Sequence, residues 1–279
     1  MSAVACAATH PFNGSLFLAY VQTKGMILKR LLSILAAVGS CTLAVAQVQA
    51  AEPVKNVVLV HGAYADGSGW RGVAEILQRD GYKVTVVQEP ETSLSDDVAA
   101  TTRAISQAGG PVVLVGHSYG GIVITQAGSD PQVKGLVYVA ALAPDANEKI
   151  GETRSKFPPA TNNVVKSADG FLTLNPATFH DDFAADLPEA DAAFMAISQV
   201  PINEKAIAAT VTEAAWRSKP SWYAVATEDH KINPDFERFM AKRAGSTTVE
   251  IKGSHAVYVS QPQAVAELIE KAAAGVAQD

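Results

Sequence analysis

The chain has 279 residues, of which 48% are hydrophobic and 18% charged, and its formal net charge is −6. A chain with this negative balance is a poor partner for a phosphate backbone, so we expect no nucleic-acid partner. The length and the apolar content are sufficient for one large core, and α/β proteins commonly reach this size as a single domain.

The first fifty residues have the order of a secretory signal, with basic residues after Met26 and an apolar stretch from Leu31 to Ala46. We therefore predict an upstream extension from a mis-chosen start codon at 1–25, a signal peptide at 26–50 and a single domain at 51–279. The apolar run is short and interrupted by glycine and hydroxyl residues, which disfavours a stable membrane anchor. This organisation predicts a periplasmic or secreted protein.

Both cysteines, Cys6 and Cys41, lie within the first fifty residues. Cys41 ends the sequence VGSC, which resembles the site at which bacterial lipoproteins are cut and acylated. The residues after Cys41 stay apolar, whereas a lipoprotein linker is usually polar, so we favour ordinary signal cleavage over lipidation. Cleavage after Ala50 would leave a chain without cysteine and therefore without disulfides.

Apolar runs alternate with segments of helical period along the rest of the chain. The predicted strands are 56–61, 83–88, 111–116, 134–140, 221–226 and 247–251, and the predicted helices lie near 70–79, 95–108, 119–128, 234–244 and 262–274. This alternation predicts the α/β class, with a mostly parallel, doubly wound sheet.

The stretch 145–219 interrupts the alternation and is the predicted cap, with helical patterns near 190–198 and 204–217. A cap over the sheet edge would exclude water and shape a pocket. The alternative is a packing insertion whose apolar residues face only the core.

The first predicted strand runs into His61 and a glycine-rich loop. Because Gly62 lets the backbone come close to a bound carbonyl, we assign one oxyanion donor to the N–H of Ala63. We assign Tyr64, which follows, to substrate binding. His61 itself is interpreted as a structural histidine that bonds loop carbonyls, in preference to a catalytic one.

Residues 116–120, with the sequence GHSYG, follow the third predicted strand and open a helix. A serine between two glycines in a strand–turn–helix is typical of a nucleophile elbow. Ser118 is the candidate nucleophile. The N–H of Tyr119 is the second candidate oxyanion donor, and its side chain is a candidate substrate contact. The alternative is a glycine-rich turn whose serine only caps a helix.

Two later loops supply an acid and a base, because Asp229 follows the strand 221–226 and His255 follows the strand 247–251. A serine hydroxyl needs an imidazole to take its proton, and the imidazole needs a carboxylate to fix its tautomer. Ser118, Asp229 and His255 also occur in the chain order of the α/β-hydrolase arrangement. We therefore predict that these three residues form a catalytic triad.

Three other carboxylates compete with Asp229 for the role of the acid: Glu228, Asp235 and Asp145. We favour Asp229, because the others are typical of solvated loop charges or of a charge at a helix start.

The other histidines show no zinc-type spacing, and the chain has no glycine-rich dinucleotide fingerprint, so we expect no metal and no cofactor. We interpret His117 and His230 as structural, and His180 as a surface histidine of the cap rather than a site residue. Trp70 and Trp216 are interpreted as packing residues rather than pocket residues.

Through these motifs the chain resembles the α/β-hydrolase superfamily. Within it, the chain is similar to bacterial esterase-like members of the branch of plant methylesterases and hydroxynitrile lyases. The resemblance rests on residues 61–63 (HGA), 116–121 (GHSYGG) and 253–255 (GSH), and it covers about 54–273. It implies a mostly parallel sheet with a helical cap inserted after the sixth strand.

The cyanogenic lyases of that branch carry a threonine in the oxyanion segment and a lysine just after the catalytic histidine. This chain has Gly62 and Ala256 at those positions. Since alanine supplies no charge to stabilise departing cyanide, the departure favours hydrolysis.

We therefore predict a serine hydrolase that cleaves a small carboxylic ester through an acyl-enzyme on Ser118, with water activated by His255. The alternatives are an amide or lactone hydrolase, a cofactor-free lyase on the same fold, and a ligand-binding protein without catalysis.

Overall fold

The computed structural model describes residues 52–276, so the predicted extension, the signal peptide and both cysteines lie outside the described residues. The described residues contain these strands: β1 (Asn56–Val60), β2 (Lys83–Val87), β3 (Val112–His117), β4 (Val133–Val139), β5 (Val164–Lys166), β6 (Phe171–Leu174), β7 (Ile202–Asn203), β8 (Ser221–Ala226) and β9 (Thr247–Ile251). Six of them form a parallel sheet in the order β2-β1-β3-β4-β8-β9.

The same part of the chain forms ten α-helices: α1 (Arg71–Arg79), α2 (Leu94–Ala108), α3 (Gly120–Ala127), α4 (Ile150–Arg154), α5 (Phe179–Phe183), α6 (Glu189–Ile197), α7 (Glu204–Ala208), α8 (Pro234–Arg243), α9 (Val257–Ser260) and α10 (Pro262–Gly275). None of the helices in 52–276 combines the length and apolar character that crossing a membrane requires.

Alternate residues of the central strands enter two separate cores, one on each face of the sheet. Val58 and Val60 pack on the face covered by α2, α3 and α8, whereas Val57 and Leu59 pack on the face covered by α1 and α10. Successive side chains of a strand point to opposite faces, so a strand covered on both faces is apolar throughout. The predicted α/β class, with a doubly wound parallel sheet, is confirmed.

The insertion between β4 and β8 differs from the predicted helical cap. It contains helices α4 to α7, but also a three-stranded antiparallel sheet in the order β5-β6-β7. The insertion follows β4, the fourth strand of the six-stranded parallel sheet along the chain, rather than a sixth strand.

The helix predicted over 204–217 is also wrong in extent. Helix α7 ends at Ala208, and only a short 3₁₀ turn, Ala215–Arg217, follows. Between them lies the run Thr210, Val211 and Thr212, whose β-branched side chains lose χ1 freedom in a helix.

Candidate active site

The backbone at Ser118 has the strained conformation of a nucleophile elbow. Its φ is 53°, in the left-handed region that non-glycine residues rarely adopt. Strand β3 and helix α3 meet so closely here that a Cβ on Gly116 would lie 2.6 Å from the Gly120 carbonyl oxygen. This turn places the serine at the carboxyl edge of the sheet and just before a helix N-terminus.

The loops after β8 and β9 bring Asp229 and His255 to the same edge. His255 Nε2 lies 2.8 Å from Ser118 Oγ, and His255 Nδ1 lies 2.5 Å from Asp229 Oδ2. Both Asp229 and His255 are buried. The structure therefore brings together the three side chains predicted as a triad, in a continuous line of hydrogen bonds.

The second carboxylate oxygen of Asp229 is held by its own loop. Asp229 Oδ1 accepts hydrogen bonds from the backbone N–H groups of Lys231, at 2.6 Å, and Ile232, at 2.8 Å. Such charge-assisted bonds fix the carboxylate in one orientation. Oδ2 is thereby aimed at the imidazole.

The three competing carboxylates lie elsewhere. Asp145 pairs with Arg217, Glu228 lies 3.6 Å from the Lys252 ammonium, and Asp235 lies 2.8 Å from Arg238. None of them contacts His255 in the described part of the chain. Surface pairs of this kind are ordinary solvated charges.

Glu237, from α8, lies beside Asp229 beneath the triad. Burial, and then the neighbouring Asp229 carboxylate, hold the pKa of Glu237 well above its usual range. This shift favours the protonated carboxyl beside Asp229, while its Oε2 accepts from the Ala226 N–H at 3.1 Å and its Oε1 has no other partner among residues 52–276. The sequence did not predict a role for Glu237, because this residue occurs in a helix that otherwise presents surface charges.

The two proposed oxyanion donors face the same pocket as Ser118. Within residues 52–276, neither the N–H of Ala63 nor that of Tyr119 donates a hydrogen bond to another protein group. Unused backbone donors beside a nucleophile are suited to a developing oxyanion.

The side chains of Tyr64 and Tyr119 differ in their relation to this pocket. Tyr64 lines it with a left-handed backbone, φ 66°, and burial raises the pKa of its hydroxyl to about 12. Tyr119 also lines it, but its hydroxyl is directed into the protein and donates to Asp97 Oδ2 at 2.7 Å. The Tyr119 hydroxyl thus fixes the residue that carries the second proposed oxyanion donor.

Behind Tyr119 lies a buried cluster of acidic residues: Glu89, Glu91 and Asp97. Burial raises the pKa of all three, that of Glu91 to about 10. The carboxyl oxygens of Glu89 and Glu91 have no hydrogen-bond partner in the described part of the chain. Glu91 is therefore neutral at pH 7, and burial favours the protonated form of Glu89 in the same way.

His61 lies next to this cluster. One of its ring nitrogens and a carboxylate oxygen from each of Glu89 and Glu91, all atoms that could bind a metal ion, lie within 4.8 Å of one another. Its Nε2 accepts from the Glu89 N–H at 3.1 Å, so Nδ1 carries the ring proton and donates to the Gly62 carbonyl at 3.1 Å. A protonated Nδ1 offers no lone pair to a cation. The arrangement fits a neutral structural histidine rather than a metal ligand.

His117 contacts His255 through both a hydrogen bond and ring packing. Its Nε2 donates to the His255 carbonyl oxygen at 2.9 Å, and the two rings pack with centroids 4.7 Å apart. Burial, and then the nearby His255, lower the pKa of His117 well below its usual range. A neutral ring in this position adds no charge next to the imidazole of the triad.

The insertion is hydrogen-bonded to the loops that carry Asp229 and His255. The Ala256 N–H donates to the Phe183 carbonyl at 2.9 Å, and His230 Nδ1 donates to the Asp181 carbonyl at 2.7 Å. The Phe183 ring packs edge-on against His255, with centroids 4.8 Å apart. The cap therefore covers the imidazole of His255 directly.

The pocket at Ser118 is small, about 50 Å³, and the cap supplies part of its wall through Arg154 of α4 and Ile207 of α7. Leu142, Lys231 and Ile232 complete the lining that sequence reasoning missed. The signal for Lys231 was its position two residues after Asp229. Ile207 belongs to the apolar pattern of the predicted cap, whereas nothing in the sequence marked Arg154, because its place depends on how the insertion folds.

The remaining candidates lie away from this pocket. His180 Nε2 donates to the Leu187 carbonyl at 2.9 Å inside the cap. Trp70 is fully buried against Tyr258, with ring centroids 4.7 Å apart, and Trp216 donates its indole N–H to the Pro144 carbonyl. All three contacts are structural.

The sheet order, the elbow and the helical flanks define an α/β hydrolase, and comparison with known proteins agrees. The sequence pattern described as "Alpha/beta hydrolase family" matches residues 57–268. This chain belongs to that family.

Individual relatives extend the comparison. The chain is 28% identical over 244 residues to the α/β hydrolase nvfD of Aspergillus novofumigatus, covering 78% of this chain and 96% of that protein. It is 23% identical over 239 residues to Methylesterase 8 of Arabidopsis thaliana, covering 76% and 87% respectively. The crystal structure of a pyrethroid hydrolase from Sphingobium faniae JZ-2 has a similar fold, with a TM-score of 0.64, 22% identity and coverage of 78% and 96%. The predicted resemblance to the methylesterase branch is confirmed.

Proposed function

We propose that this protein is a serine hydrolase that cleaves a small carboxylic ester through an acyl-enzyme on Ser118. The observation that carries the proposal is the line of hydrogen bonds from Ser118 Oγ to His255 Nε2, at 2.8 Å, and from His255 Nδ1 to Asp229 Oδ2, at 2.5 Å. The names of the relatives, which include a methylesterase and a pyrethroid hydrolase, support ester hydrolysis in general.

The first half-reaction transfers the acyl group to the protein. Ser118 Oγ attacks the ester carbonyl carbon while His255 Nε2 takes the hydroxyl proton, and Asp229 stabilises the imidazolium that forms. The carbonyl oxygen becomes negative and accepts hydrogen bonds from the N–H groups of Ala63 and Tyr119. The bond to the alcohol oxygen then breaks, and the alcohol leaves with the proton that His255 returns.

The second half-reaction releases the acid. A water molecule loses its proton to His255 Nε2 and attacks the acyl carbon, giving a second oxyanion in the same place. The bond to Ser118 Oγ breaks, and Oγ takes the proton from His255. The free carboxylic acid leaves, and the triad returns to its starting protonation.

The direct test of this proposal compares p-nitrophenyl acetate hydrolysis by the wild type, Ser118→Ala and His255→Ala. We expect a mass increase of one acetyl group on the wild type in rapid-quench samples, and none on Ser118→Ala. Hydrolysis by Ser118→Ala at the wild-type rate would refute the covalent mechanism.

A second candidate, a cofactor-free lyase, is favoured by one observation. Position 256 is a buried alanine, but the ammonium-bearing Lys231 lines the pocket with Ser118 and His255. The pocket therefore has a cation even though the position after the histidine has none. Cyanide or aldehyde release from a cyanohydrin without ester hydrolysis would favour this candidate over the hydrolase.

We also propose that the chain is exported after removal of residues 1–50, on the basis of the basic and apolar order of 26–50. The intact mass of the protein recovered from the periplasm or the medium of a bacterial host tests this. A mass starting at Ala51 is expected, and a mass that retains residues 26–50 would refute it.

A further inference from the structure

Two cationic side chains line the pocket that also contains Ser118 and His255. Arg154 reaches it from the last residue of α4, and Lys231 reaches it from the loop that carries Asp229. They come from separate parts of the chain, the insertion and the sheet edge, and meet only in the folded protein. Arg154 Nη2 donates to the Lys231 carbonyl oxygen at 2.7 Å, which joins the two residues.

Neither cation has a carboxylate within ion-pair distance among residues 52–276. Asp182 and then Asp229 attract Lys231, and Asp229 also attracts Arg154, but both carboxylates already accept hydrogen bonds from other groups. Asp182 accepts hydrogen bonds from Asn163 and Thr178. Asp229 is held by its loop amides and by His255.

The two charges are partly removed from water. Lys231 is 6% exposed, and burial lowers the pKa of both Lys231 and Arg154. A buried charge without a partner is costly, and an anion that binds between two such groups recovers that cost. The Arg154 guanidinium uses one N–H on Lys231, which leaves its other donors for a ligand; a planar fork of this kind matches a carboxylate in a bidentate way.

A second, larger cavity gives the substrate room on the far side of Arg154. It has a volume of about 520 Å³ and shares Leu142, Arg154 and Ile207 with the pocket at Ser118. The pocket at the nucleophile, at about 50 Å³, holds little more than the reacting group. Because Arg154 lines both cavities, a substrate that has its ester at Ser118 and extends into the larger cavity lies against this residue.

We infer that the substrate is an ester that carries a second, negatively charged carboxylate group, which Arg154 and Lys231 bind. This inference rests on the proposed function and narrows it to half-esters of small dicarboxylic acids or to esters of small hydroxy acids. The two differ in whether the carboxylate lies on the acyl or on the alcohol side of the scissile bond.

The test uses two pairs of substrates of matched shape. Monomethyl glutarate and methyl 5-oxohexanoate differ in a carboxylate or an acetyl group on the acyl side, and acetoxyacetate and acetoxyacetone differ in the same way on the alcohol side. We expect wild-type kcat/KM to favour the charged member of one pair by roughly 10- to 100-fold. Equal values within both pairs would overturn the inference while leaving ester hydrolysis in place.

The variants Arg154→Met and Lys231→Met assign the effect to the two cations. Lys231→Met leaves the backbone N–H that holds Asp229 intact. We expect each variant to lower kcat/KM for the charged ester roughly 10-fold more than for its neutral partner, and Arg154→Lys to restore part of the preference. An equal loss on both esters would indicate a structural role and overturn the inference. Lys242→Met, an exposed lysine of α8, is the matched control.

A binding measurement separates this inference from the proposed function. Calorimetric titration of Ser118→Ala with glutarate and with acetoxyacetate does not depend on turnover. Binding of either anion that Arg154→Met abolishes in the same background would support the anion site even if no ester is cleaved. The absence of binding by both anions would overturn it.

Discussion

Gly62 lies so close to the nucleophile that a Cβ at this position would stand 2.6 Å from Ser118 Cβ and 2.8 Å from His117 Nδ1. The backbone of the loop after β1 therefore packs directly against the side chains of Ser118 and His117 in the turn after β3. Because Ala63 follows Gly62 directly, this contact also sets the position of one proposed oxyanion N–H.

Gly62→Ala is expected to lower kcat by about 10²- to 10³-fold, the loss typical of removing one oxyanion donor. The added methyl group must push the 61–63 loop away from Ser118, since real Cβ atoms do not approach so closely. The measurement is kcat for p-nitrophenyl acetate, with a thermal melt to verify folding. Gly110→Ala is the matched control, because its Cβ would meet nothing nearer than Asn56 Nδ2, at 3.3 Å. A fully active Gly62→Ala would contradict the placement of the donor.

The assignment of the acid predicts a contrast between two asparagine variants. Asp229→Asn should lower kcat by about 10⁴-fold, because the amide no longer holds His255 in the tautomer that accepts the serine proton. Asp145→Asn should keep kcat within a few-fold, since Asp145 pairs with Arg217 away from His255. Steady-state kinetics on both variants measure this contrast. A lower kcat for Asp145→Asn than for Asp229→Asn would show that Asp229 is not the acid of the triad.

The protonated Glu237 predicts a difference between amide and hydrocarbon replacements. Glu237→Gln retains a donor toward Asp229 and should keep kcat within a few-fold. Glu237→Leu removes it and should lower kcat by roughly 10-fold, the value of one hydrogen bond of about 1.4 kcal/mol. Equal kcat values for the two folded variants would mean that Glu237 does not position Asp229.

The buried Glu91 predicts a dependence of stability on pH. Its pKa rises to about 10 on folding from an ordinary value of 4.5, so the unfolded state releases this proton far more readily than the folded state. Between these two pH values the wild type therefore loses stability as pH rises, by at most about 1.4 kcal/mol per pH unit for this group. Glu91→Gln removes the titration.

Urea unfolding at pH 5, 7 and 9 measures this effect as the difference in unfolding free energy between Glu91→Gln and the wild type. The difference should shift in favour of the variant as pH rises, and it should level off above pH 10. The exposed Glu213→Gln serves as the control and should show a flat difference. A flat difference for Glu91→Gln as well would mean that Glu91 is ionised in the folded protein.

The central sheet could be predicted from the sequence because its inner strands β1, β3, β4 and β8 are short, largely apolar and buried. Ser118, Asp229 and His255 could be predicted because each follows a predicted strand, and parallel strands end at the same edge. The strands β5, β6 and β7 could not, since they have only three, four and two residues, and β6 pairs with the distant β7, Phe171 with Asn203. Arg154 was missed for a related reason, because only the folded insertion brings it to Ser118.

The central claim is that His255 and Asp229 activate Ser118 as a nucleophile. Intact-protein mass spectrometry after incubation with a fluorophosphonate tests it most directly, with Ser118→Ala as the control and p-nitrophenyl acetate hydrolysis followed in parallel. We predict one adduct on the wild type with complete loss of hydrolysis, and no adduct on Ser118→Ala. A correctly folded wild type that stays unlabelled would contradict the account, and would favour a ligand-binding protein that retains the fold of a hydrolase.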